Sequence, residues 1–186
     1  MSCTRQRLKK RKDETSMKKI VALLLVLVLC MGMTSAMADK LGSYMYTNVS
    51  KANAAGEKDG AYQADTTICA VVLDDNGVIK MVKFDVVQVK LGFTAAGACT
   101  VEAGTVIASK EELKDGYGMR KASPIGKEWF EQAAALEAWC VGKTLDQVMA
   151  APLEGGKPTD ADLVTGCTMT VTDYLYALQK AVELAK

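Results

Sequence analysis

Leu73-Asp74-Asp75-Asn76-Gly77-Val78 separates two runs rich in β-forming residues, Gly60 to Leu73 and Val78 to Leu91. Asn-Gly between such runs signals a β-hairpin, because a two-residue type I′ turn needs φ > 0 at both central positions and these residues tolerate it best. The returning run divides into two alternating sets, Ile79, Met81, Lys83, Asp85, Val87 and Val78, Lys80, Val82, Phe84, Val86. Apolar residues fall in both, so the strand is expected to be covered over much of its length. Upstream, Gly42 to Val49 reads as another strand, followed by a soft segment from Ala52 to Lys58.

Downstream the periodicity changes. Phe93 to Ser109 is rich in small residues, with Thr105-Val106-Ile107-Ala108 predicted as a short strand and Lys110–Lys114 as one helical turn. Ser123-Pro124 has the form of a helix start, Ser as N-cap and Pro at the first helical position. The run through Trp129, Phe130, Ala133, Leu136, Ala138 and Cys140 predicts a helix to Val141, ended by Gly142. Thr144 caps a short helix through Leu145, Val148 and Met149, and Leu175, Leu178, Val182 and Ala185 mark one face of a C-terminal helix from Thr172. Trp129 and Trp139 read as core anchors. The fold class is α+β: a single domain with a twisted, mostly antiparallel sheet and helices packed against it.

That domain is assigned to residues 39–186. Residues 1–38 read as an N-terminal extension and a signal peptide: basic Met1–Ser16, then Met17-Lys18-Lys19, an apolar run from Ile20 to Met33, and Ala36-Met37-Ala38 before cleavage. The apolar run is about 14 residues, short for a membrane span. Met17 is an alternative start. Cys30 follows Leu29, where a lipid-attachment signal needs a small residue, so cleavage after Ala38 and export are expected rather than lipid anchoring. Of 23 basic and 22 acidic residues, 8 and 2 precede Asp39, leaving 15 against 20 and a net charge of −5. Such a surface lacks the basic footprint of nucleic-acid binding.

The chain has no histidine. Ser-His-Asp and Cys-His hydrolase sites, His-ligated zinc and C-x-x-C-H haem attachment are therefore excluded. Cys69, Cys99, Cys140 and Cys167 lack C-x-x-C spacing; they permit two disulfides in three connectivities, or four small buried thiols. A domain of this length favours the second, having no need of staples. The paired acids Asp74/Asp75 and Glu111/Glu112 sit in turn-like or surface-like settings, where solvated charge is the ordinary reading.

Asp162-Leu163-Val164-Thr165-Gly166-Cys167-Thr168 precedes the last helix. Gly166 permits φ > 0 and close approach of a ligand to the backbone, and the following helix directs free N–H groups toward the turn. On chemistry alone this is a hydroxyl-rich anion nook or a helix cap. The motif resembles the Asp-x-x-Ser/Thr-Gly-Ala-Thr signature of the FMN-binding domain family, with Cys167 in place of alanine. The ordered Asp59-Gly60-Ala61-Tyr62, strand, Asn76-Gly77-Val78-Ile79, strand arrangement is a second likeness. Membership would imply FMN esterified to Thr168 by a dedicated flavin transferase, with Asp162, Thr165 and Gly166 completing the recognition turn. It would also imply electron transfer with membrane or extracellular partners. The alternative is an exported binding module of the same fold that has lost covalent flavin. Tyr117-Gly118-Met119-Arg120-Lys121 offers groups for a flavin ring or its phosphate; equally, its Tyr and Met could pack on the core.

Overall fold

The computed structural model describes residues 39–186. The expected signal peptide, the two possible starts and Cys30 lie outside the described residues. A three-stranded antiparallel sheet runs in the order β1 (Lys40–Asn53), β2 (Gly60–Leu73), β3 (Ile79–Phe93). β1 extends beyond the predicted Gly42–Val49 at both ends.

The β2–β3 hairpin is where predicted but its turn is not type I′. Gly77 alone has positive φ (76°), and Asn76 does not. Gly77 N–H donates to Asp74 O (3.1 Å), while the Asp74 carboxylate accepts from the N–H groups of Asn76 (2.9 Å) and Val78 (2.8 Å). The local bonds to Asp74 thus favour an ordinary turn followed by a left-handed glycine, the usual longer hairpin loop.

A bulge also revises the strand's alternation. Val72 pairs with Met81 but Leu73 pairs with Ile79, so Lys80 is the extra residue. The bulge brings Ile79 onto the face shared by Val82, Phe84 and Val86, all buried, and leaves Lys80 and Met81 exposed. Opposite them on β2 lie the buried Val71, Cys69 and Thr67.

Between β3 and Ser109 the chain is mostly irregular. Thr105–Ala108 forms no strand; isolated bridges join Val87 to Ser109 and Phe93 to Cys99. Ser109 then caps α1 (Lys110–Leu113) in a capping box with Glu112. The long helix α2 spans Trp129–Cys140, not Ser123–Val141. Gly126, at φ 64°, closes a Ser123–Gly126 turn, and Ser123 Oγ instead accepts from Lys127 N–H and Gln132 Nε2. Extended Glu128 takes the N-cap position; its buried carboxylate accepts from Met119 N–H (2.8 Å) and Arg120 N–H (2.9 Å).

Thr144 caps α3 (Leu145–Met149) as predicted. A two-residue ribbon, β4 (Leu153–Glu154) with β5 (Lys157–Pro158), leads to α4 (Ala161–Val164) and α5 (Thr172–Leu184). α5 lies across β1 and β2, α2 across β3. Gly42 permits the first contact: a Cβ there would come within 1.9 Å of Ala181 O. Trp129 is buried and donates from Nε1 to Tyr174 Oη (2.8 Å), tying the helices together; Trp139 is only half-buried. Glu137 on α2 accepts from Phe84 N–H (2.9 Å) and Lys83 Nζ (2.6 Å), blocking the outer edge of β3.

Among the described residues the four cysteines are free, with Cys69, Cys140 and Cys167 buried. Burial pushes the thiols of Cys69 and Cys140 up to about 12 and that of Cys167 to about 11. Cys99 departs from the expectation of four buried thiols, because the irregular segment leaves it exposed.

Candidate functional site

The Asp162–Thr168 turn is built from a helical stub and one buried amide. Asp160, absent from the motif, caps α4 by accepting from the N–H groups of Asp162 (3.0 Å) and Leu163 (3.1 Å). Leu163 is buried and its carbonyl accepts from Gly166 (2.9 Å) and Cys167 (2.8 Å) N–H, turning the chain inward. Asp162 and Thr165 are exposed; Thr165 Oγ1 donates to Asp162 O (3.1 Å).

Gly166 works differently from the expectation. It is buried and its φ is not positive, so neither a left-handed turn nor ligand approach accounts for it. A Cβ would lie 2.6 Å from Ala135 Cβ, so glycine lets the turn pack against α2. Cys167 is also fully buried.

Thr168 is held by Gln132, a fully buried α2 residue that no motif indicated. Gln132 Oε1 accepts from the N–H groups of Thr168 (2.9 Å) and Met169 (3.2 Å), and more distantly from Thr168 Oγ1 (3.4 Å). Its Nε2 donates to Ser123 Oγ (3.0 Å) and Lys127 O (3.2 Å). Every polar group of the amide is thereby used, as burial requires. Thr168 itself is half-buried, and among the described residues its hydroxyl makes only the long contact.

Two further features bear on an anion here. α5 has no side-chain cap at its N-terminus, leaving first-turn N–H groups available four residues beyond Thr168. Lys127 Nζ lies 3.4 Å from Thr165 O, placing a cation at the turn. Asp173 in the first turn of α5 opposes them. The Thr168 hydroxyl, the uncapped start of α5 and Lys127 are the groups of this turn that could meet a phosphate.

A second polar region lies on the covered face of the sheet. Asn48, Asp65 and Gln88 occupy one row across the three strands, and Gln63 pairs with Lys90 on the next. The Asp65 carboxylate accepts from Gln63 Nε2 (2.9 Å) and Gln88 Nε2 (2.9 Å), and Gln88 Oε1 accepts from Tyr117 Oη (3.2 Å). Burial raises the Asp65 carboxyl, but hydrogen bonds from Ser50, Gln63 and Gln88 outweigh it and hold the group below its ordinary value. Asn48 Oδ1 is buried without a partner among the described residues. Facing this region is Lys110, only 9% exposed, its Nζ 4.8 Å from the Tyr117 ring centre and 5.6 Å from that of Trp129. Burial lowers its amine to about 8, against the attraction of Asp65 and Asp85. Tyr117 and Met119 both pack against the core, the plainer of the two readings of their loop.

The chain matches no family profile and no solved structure. It is 30% identical over 180 residues to a chlorophenol reductase of Desulfitobacterium hafniense. The match covers 72% of this chain and 54% of that protein, so the chain spans about half the length of its curated relative. Among the described residues no helix is long and apolar enough to cross a membrane.

Proposed function

We propose that the chain is an exported flavin carrier, with FMN esterified to Thr168 by a flavin transferase, exchanging electrons with a membrane or extracellular redox partner. The observation that carries this reading is the setting of Thr168: a backbone pinned by Gln132, a hydroxyl with one weak contact, and an uncapped helix end close by in the chain. When bound, FMN would supply the redox chemistry. The chain's task is to fix the ester position through Gln132 and offer N–H groups and Lys127 to the phosphate. No histidine general base is needed for that role. The relative's name, a reductase, agrees with redox work, though the match covers only part of each protein.

The binding-module alternative draws on Gly166 and Cys167, whose burial accounts for both residues through packing alone. Co-expression with a flavin transferase separates the two readings. Under the first, wild-type protein carries flavin fluorescence through denaturing electrophoresis, Thr168→Val carries none, and Thr165→Val carries less at the same site. Dark wild-type protein, from a host in which the transferase labels a known acceptor, would leave the binding module.

A further inference from the structure

Lys110 is a buried cation without a counter-ion in contact. It lies on the wall of a cavity of about 400 Å³. Among the described residues its Nζ has no hydrogen-bond acceptor, only the faces of Tyr117 and Trp129. The nearest acidic row does not serve it: Asp65 is taken up by Gln63 and Gln88. No carboxylate lines the cavity, whereas a second cation, Lys90, does. The remaining wall is divided between the polar Gln88 and Tyr117 and the apolar Ile107 and Leu113.

A lysine desolvated to this degree ordinarily takes a carboxylate partner, because an unpaired buried charge is costly. Here the partner's place opens onto a space of the size of small-molecule sites. We propose that this cavity binds a small, planar organic monoanion, of the aromatic carboxylate kind, with its charged end on Lys110 and Lys90 and its apolar body against Ile107, Leu113 and the Tyr117 ring. A single negative charge suits a site with one buried amine and one exposed one. The apolar wall favours an organic body over a fully hydrated inorganic ion. This site shares no residue with the Thr168 turn, so it stands or falls apart from the flavin reading.

Benzoate is a suitable probe, titrated at pH 6.5 into the isotope-labelled protein and followed by amide chemical shifts. Wild type should show saturable shifts confined to residues around Ile107, Lys110 and Tyr117. Lys110→Met, which keeps the apolar stem, should bind at least about tenfold more weakly, and Lys90→Gln a few-fold more weakly. Thr168→Val should bind as wild type does. Lys110→Met should give an amide spectrum as dispersed as wild type, since it removes only a charge. Should that variant fail to fold, the location of the wild-type shifts still decides. Absent or scattered shifts, equal affinity in folded Lys110→Met, or sulfate binding as tightly as benzoate would each overturn the proposal.

Discussion

Gln132 satisfies two backbone N–H groups of the Thr168 turn while spending its own amide hydrogens on Ser123 and Lys127. Replacing it by Leu keeps the bulk but strands those buried groups, at a cost of about 2–3 kcal/mol, measurable by urea unfolding. Little change would mean that the turn holds without it. Gly166 makes a complementary case. Gly166→Ala forces its Cβ onto Ala135, costing about 1–3 kcal/mol, and Ala135→Gly should recover much of the loss. A double variant as weak as the single one would locate the constraint elsewhere. The thiols give a third residue-level expectation. At pH 8, iodoacetamide should label Cys99 rapidly, while Cys69, Cys140 and Cys167, buried and with raised pKa values, stay unmodified in folded protein. Peptide mapping distinguishes the four, and rapid labelling of a buried one would contradict the packing.

At the scale of the elements, α1 carries a cation into the interior, and stability should show it. The Lys110 amine falls from 10.5 to about 8 through burial. Below pH 8 both folded and unfolded chains hold the proton, and the folded state bears the full desolvation cost. Between about 8 and 10.5 the folded chain releases it first, so this cost fades as pH rises. The shift corresponds to about 3 kcal/mol. Cation–π attraction to Tyr117 and Trp129 returns ~1, so Lys110→Met should gain about 2 kcal/mol at pH 7. The gain should shrink toward pH 10.5; a gain independent of pH would exclude the amine's charge as its cause. The same element shows where sequence was readable. Thr144 acts at short range, through a capping bond to the residue three positions on, and α3 could be anticipated from it; Ser109 caps α1 in the same way but was not marked by the sequence reading. Ser123-Pro124 looked equally clear, yet Gly126 and the pull of Gln132 made it a turn. Gln132, Lys110 and the Asn48–Asp65–Gln88 row acquire their meaning from contacts across the fold, and nothing in local spacing marks them.

Among the described residues, a sheet covered by α2 and α5 leaves two polar places: the Thr168 turn just before the uncapped α5, and the cavity at Lys110. The hairpin and the helical periodicities made the α+β class legible. The bulge at Lys80 was not, because register depends on partners as well as on alternation. The Asp-x-x-Thr-Gly-Cys-Thr motif was visible too, but it did not reveal that Gly166 and Cys167 are buried, or that Gln132 holds the turn. The proposed redox role rests on attachment of FMN at Thr168. Its most direct test is intact mass followed by peptide mapping of wild-type protein co-expressed with an active flavin transferase. One addition, equal to FMN less one water, is expected on the peptide containing Thr168. Protein at its bare polypeptide mass, or an addition mapped to any other residue, would contradict it.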